Sequence, residues 1–98
     1  MFPSRSTIEK MILEILVELG EKGKIIDIYQ RLSKKSSLSE SELLEKVPSG
    51  ENRWKNNVRW ARANLINKGL MEKRREYGVW EISQKGISYY QERILKER

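Results

Sequence analysis

Residues 52–69, NRWKNNVRWARANLINKG, decide the fold. Their apolar members Trp54, Val58, Ala61 and Leu65 are spaced 4, 3 and 4 apart, the period of a helix with one buried stripe. At about 100° per residue, Asn56, Arg59, Ala63 and Asn67 fall on the opposite face, with Lys55 at one flank and Trp60 at the other. Gly69 ends this helix of about 52–68, and Lys68 sits where a cation complements the C-terminal dipole. The period then changes to two. In residues 70–83, LMEKRREYGVWEIS, the segments 70–73 and 79–82 read as short strands. Arg74, Arg75, Glu76, Tyr77 and Gly78 form the hairpin loop between them.

Working outward, the clearest flanking element is an N-terminal helix of about 7–19. Ile8, Met11, Ile12, Ile15, Leu16 and Leu19 make its apolar stripe, Ser6 and Glu9 have capping-box spacing, and Gly20 stops it. The segment 21–25 reads as a turn or short strand. It leads into a second helix of about 26–34, marked by Ile25, Ile28 and Leu32 and broken by the Ser- and Lys-rich run 33–37. Ser39 and Glu42 form another capping box, opening a short inserted helix within about 39–47 with Leu43, Leu44 and Val47 turned inward. Pro48, Ser49 and Gly50 close it. Beyond the hairpin, Ser83 caps a last helix in which Ile87, Tyr90 and Ile94 repeat at helical spacing.

Helix, short strand, helix, inserted helix, long helix, hairpin, helix is the order of a winged helix-turn-helix. The expected fold is mainly α with a small β-hairpin, a winged helix-turn-helix with an inserted short helix. It occupies 1–98 as a single domain, with the wing at about 70–82. A chain of 98 residues buries only about 60–65% of its unfolded surface, enough for one core.

Composition excludes most catalysis. The chain has no His, no Cys and a single Asp, Asp27. There is no Cys/His zinc site, no Ser-His-Asp triad, no thiol nucleophile and no disulfide framework. No metal or cofactor is expected, and the chain is expected not to be an enzyme. The absence of Cys fits a cytoplasmic protein. The longest apolar runs are three or four residues, against the ~18–20 a bilayer span needs, so no membrane partner is expected.

The net charge of +6 is localised. Residues 1–50 carry eight Lys/Arg and eight Asp/Glu, while 51–98 carry twelve and six. Eight of those twelve cations lie on the long helix (Arg53, Lys55, Arg59, Arg62, Lys68) and the wing (Lys73, Arg74, Arg75). In a DNA-binding winged helix these two elements face the duplex, the helix in the major groove and the wing on the backbone or minor groove. A basic surface there neutralises phosphates and makes binding salt-dependent.

Individual residues have competing uses. Asn56 and Arg59 have the chemistry for adenine and guanine edges, or they contact phosphate and water. Arg53 and Lys55 suit phosphates at the helix start. Ala63 is small enough for close approach to the groove and is also simply a good helix former. Arg62 lies nearer the core and reaches a phosphate only at its tip. Trp54 and Trp80 belong to the core. Trp60 packs against helix 2 or the wing, or touches a base or methyl group. Tyr77 hydrogen-bonds a phosphate or covers the hairpin.

Residues 13–90 resemble the N-terminal winged-helix domain of Mrr-type restriction systems. The likeness rests on Leu13-Glu14-Ile15-Leu16, Leu19-Gly20, Lys24-Ile25, Leu38-Ser39-Glu40-Ser41-Glu42-Leu43-Leu44 and Pro48-Ser49-Gly50. It continues through Val58-Arg59-Trp60-Ala61-Arg62, Lys68-Gly69-Leu70 and Gly78-Val79-Trp80-Glu81-Ile82-Ser83-Gln84-Lys85-Gly86. The resemblance implies a module that brings a nuclease to modified DNA, with Trp60 and the Asn56/Arg59 face as readers of a methylated base. Such enzymes carry their catalysis in a following domain marked by an Asp and a (Asp/Glu)-x-Lys pair. Here no acidic residue is followed by Lys two positions later, so cleavage by this chain alone is not expected. The expected partner is double-stranded DNA, with the chain acting as a homodimer or beside a fused or associated nuclease domain. The alternatives are a small transcription or chromatin regulator, and a protein-interaction winged helix that dimerises.

Overall fold

A computed structural model describes residues 1–73 and 76–97, the last of them by its backbone alone; Arg74, Arg75 and Arg98 lie outside the described residues. The elements run α1 (Arg5–Glu18), β1 (Lys22–Lys24), α2 (Ile25–Ser36), α3 (Glu40–Leu44), α4 (Arg53–Asn67), β2 (Val79–Glu81) and α5 (Gln84–Tyr89). A wider π turn over Tyr90–Ile94 and a 3-10 turn over Leu95–Glu97 continue α5. The result is a mainly α, winged-helix-like fold.

α4 forms as its stripe dictates: Trp54, Val58, Ala61 and Leu65 are all buried. They meet Ile8, Ile12, Ile15 and Leu16 of α1 and Ile28 and Leu32 of α2 in one core. Trp54 and Trp80 are core residues, as expected; Phe2 stacks on the first at 6.3 Å and Tyr29 tilts against the second at 5.9 Å. Gly20 and Gly69 both take positive φ (87° and 76°) at the helix ends where the spacing places them.

α1 begins earlier than expected, and its cap is Ser4 instead of Ser6. The Thr7 N–H donates to Ser4 Oγ at 3.2 Å. Glu9 does not complete a capping box. It is buried and accepts from Lys68 Nζ at 2.8 Å and from Asn64 Nδ2 at 3.3 Å, both on α4. A charged partner across the core holds this carboxylate more strongly than a frayed N-terminal amide would.

α2 is also longer than the expected 26–34, starting at Ile25 and running on to Ser36. The Ser- and Lys-rich run does not break it. Ser33 Oγ donates back to the Tyr29 carbonyl at 2.9 Å and accepts from Trp54 Nε1 at 3.2 Å. Lys35 reaches Glu14 and Glu18 of α1 at 2.6 and 3.4 Å. The helix ends only at Ser37, in a left-handed conformation with φ 51°.

The Ser39–Glu42 capping box is present: Glu42 N–H donates to Ser39 Oγ, and Ser39 N–H donates to Glu42 Oε1 at 3.0 Å. The inserted helix is shorter than 39–47, because Glu45 is already extended (ψ 141°). A Lys46–Asn52 bridge and the Val47 N–H to Glu51 carbonyl bond, 2.9 Å, turn 46–52 into a tight loop. As a result Leu44, expected to point inward, is 74% exposed.

The wing is only lightly built as a hairpin. Segment 70–73 meets the second strand through a Met71–Ile82 bridge and the Glu72 N–H to Glu81 carbonyl bond at 3.0 Å. The regular antiparallel pairing of β2 is with β1, matching Lys22 to Glu81, Gly23 to Trp80 and Lys24 to Val79. Gly86 closes the base of the wing: a Cβ there would lie 2.0 Å from the Leu70 carbonyl oxygen, so only glycine lets α5 approach this closely.

Candidate nucleic-acid interface

The outer face of α4 is presented to solvent because the inner stripe is fully occupied. Asn52 caps the helix, accepting from the Lys55 N–H at 3.0 Å, and its Nδ2 donates to the Leu43 carbonyl at 2.7 Å. The insert thereby fixes where α4 starts. Asn56, Arg59 and Ala63 lie together along the outer ridge, and Lys55 is exposed beside them.

Charge on this ridge is less free than the sequence count implies. Arg53 pairs with Glu45, Arg59 Nη2 pairs with Glu51 at 2.5 Å, and Lys68 pairs with Glu9 at 2.8 Å. All three carboxylates come from outside 52–68. Asn56 Nδ2 also donates to Glu51, at 3.1 Å on the same Oε2. These two hydrogen bonds, followed by the Arg59 charge, hold the Glu51 carboxyl below its ordinary range. The Lys68 ammonium is pushed up, first by its hydrogen bond to Glu9. Lys55 forms no ion pair among the described residues, and neither does Lys73, which is exposed at the wing.

Between α4 and the wing runs a cleft that the spacing argument did not anticipate. Its outer part, about 670 Å³, is lined by Lys24, Ile25, Ile26, Tyr29, Lys55 and Tyr77. The inner part, about 550 Å³, adds Arg59, Arg62 and Trp80. The Arg62 guanidinium stacks 5.2 Å over the Trp80 ring, so its stem lies along the core as its position suggested. Burial pushes the Tyr29 hydroxyl up, with Arg59 and Arg62 pulling the other way. Lys24, Tyr29 and Glu51 were not among the expected site residues. Tyr29 had a signal, being next to Ile28 and three before Leu32, on the edge of the buried stripe of α2.

The structure thus brings Lys55, Arg59 and Tyr77 to one cleft, with Asn56 and Ala63 on the adjoining ridge; Tyr77 is 87% exposed at the wing. Arg53 and Trp60 belong to the other flank. For Trp60 the expected alternatives are packing on helix 2 or the wing, or contact with a base. Trp60 is 50% exposed, and the Arg5 guanidinium of α1 sits 5.9 Å above its ring. The helical wheel accounts for this, since 60 projects toward the α1 side together with 53, 57 and 64. The expected contacts of Arg74 and Arg75 fall outside the described residues.

Among the described residues no three acidic, His or Cys side chains gather where they could hold a metal ion, and no helix is long and apolar enough to cross a membrane. Fold and face together define a small basic winged-helix-like domain. The family model of the Mrr N-terminal domain matches residues 6–92, nearly the whole chain. The chain belongs to this family, which associates it with restriction systems; the Mrr N-terminal domain is a non-catalytic module. Comparison with curated proteins and with solved structures found no match.

Proposed function

We propose that this chain is the DNA-recognition module of a restriction system. It binds double-stranded DNA with α4 in the major groove and the wing, 70–82, along the backbone or minor groove, and it discriminates modified from unmodified bases. The observation that carries this reading is the outer ridge of α4, where an exposed Arg59 and the half-buried Asn56 and small Ala63 lie outside the buried stripe beside the cations of the cleft. A ridge of this composition suits base edges, and its cationic border suits phosphates. The winged-helix-like arrangement supports the docking geometry. Catalysis is assigned to a separate nuclease domain, fused or associated.

The test is direct binding to labelled duplexes at low salt, with and without cytosine or adenine methylation. Affinity in the micromolar range or tighter, reduced by Arg59→Ala and Lys55→Ala, supports the reading. Absence of binding to every duplex at low salt overturns it. A protein-interaction module is the second reading, favoured by the exposed apolar side chains Ile26 and Leu44. Stable self-association without DNA binding would establish it.

A further inference from the structure

Glu51 stands one residue before the cap of α4. Its backbone is held by the Lys46–Asn52 bridge and by the Val47 N–H bond to its carbonyl, with Gly50 N–H donating to the Val47 carbonyl at 2.8 Å. From there its side chain runs along the outer ridge, not into the protein. One oxygen, Oε2, takes both the Asn56 amide at 3.1 Å and the Arg59 guanidinium at 2.5 Å. Both partners are residues the ridge offers to DNA, and the Glu51 carboxylate is itself 47% exposed.

A carboxylate in this place offers Arg59 what a phosphate oxygen would offer: an anionic acceptor within bonding distance. It therefore competes with phosphate for Arg59 and repels any phosphate that approaches. Base edges are treated differently. A guanidinium has five N–H donors, and one engaged by Glu51 leaves others for the neutral acceptors of a guanine edge. A carboxylate that fixes the guanidinium beforehand also reduces the entropy lost on making that contact.

We infer that Glu51 is a specificity-determining residue of this face: it holds Asn56 and Arg59 through shared hydrogen bonds, denies them to phosphates and presents them to bases. The inference rests on the DNA-binding reading above. Its carboxyl is kept below the ordinary range by its two partners, so the device stays charged throughout the neutral range.

The experiment compares the full chain with Glu51→Gln on two duplexes, one selected from a random pool by the native chain and one unrelated to it. Glu51→Gln should tighten binding to the unrelated duplex about three- to fivefold at low salt, the size of an exposed charge effect at its upper end. The ratio of selected to unrelated affinity should fall by at least that factor. The salt dependence should steepen by about one phosphate contact. In an Arg59→Ala background the same substitution should lose most of its effect, which a general charge change would not. The Asn52 cap and the loop backbone are untouched, and an unchanged melting temperature verifies this. Unaltered affinity ratio and salt slope in a native chain that does bind DNA overturn the role of Glu51 while leaving the proposed function standing. Equal binding of the native chain to both duplexes also overturns the role. A native chain that binds neither duplex overturns the proposed function itself.

Discussion

Ala61 and Ala63 stand two positions apart on α4 and face opposite worlds. Ala61 is fully buried in the core that α1 and α4 share. Ala63 lies on the outer ridge between Arg59 and Asn67, where a methyl group keeps the surface low. The same contrast holds for ion pairs. Lys68 meets a Glu9 whose side chain is only 11% exposed, tying α4 to α1, while Arg59 meets Glu51 with both side chains about half exposed. One face of the helix is specified by packing. The other is specified by what it leaves available.

Substitutions can break this division or sharpen it. The largest effect should come from the inner face: Leu65→Ala removes a fully buried side chain and should cost about 2–5 kcal/mol in chemical denaturation, with no separate loss of DNA contacts once folded. Ala61→Leu overpacks the same interface and should cost about 1–3 kcal/mol. Ala63→Leu, the same change on the outer face, should leave stability within about 0.5 kcal/mol. It should weaken duplex binding by about tenfold or more, the loss of one good base contact, as measured by fluorescence anisotropy. If Ala63→Leu were instead as destabilising as Ala61→Leu, the two faces would not be separate.

Lys55→Ala should act more gently still. It should lower affinity for all duplexes alike by roughly threefold and reduce the salt slope by about one, without altering sequence preference. The smallest effect concerns pH and the insert. The Glu42 carboxyl is held at about 2, first by the N-terminal amine of Met1 and then by the Ser39 N–H, against an ordinary value of 4.5. A depressed carboxyl stabilises the fold above its unfolded value, and that contribution is lost as pH falls from 4.5 toward 2. Glu42 is on the surface, so the effect is a slight extra fall in melting temperature across that window, absent in Glu42→Gln.

The inner face of α4 was legible because burial leaves a period, and Trp54, Val58, Ala61 and Leu65 carry it without interruption. The Ser39–Glu42 capping box was legible because its partners are three residues apart. The start of α1 was not: Ser4 and Ser6 are both competent caps, and what decides between them is Glu9, whose partners Asn64 and Lys68 lie far along the chain. Nor was the length of the second helix, since the serines that suggest a break are neutralised by Ser33 bonding back to Tyr29 and by Lys35 reaching α1. The charge of the outer ridge was overestimated for one physical reason. Glu45 and Glu51 lie just outside the helix, and only the tight loop 46–52 folds them back over it. The cleft was invisible because it is formed by the ends of α2, α4 and β2, and no local spacing records that meeting.

The pairing of Lys22–Lys24 with Val79–Glu81 has a consequence for how the molecule comes into being. The two strands are separated by more than half of the chain, so their hydrogen bonds form only after a long loop has closed, with the entropic cost that such closure carries. On the ribosome β1 emerges early and waits, unpaired, while the helices after it are synthesised. The wing base should therefore lock late, once that loop has closed. Hydrogen exchange begun during refolding should find the amides of Glu72 and Ile82, bonded to the carbonyls of Glu81 and Glu21, protected only after those of α1 and α4.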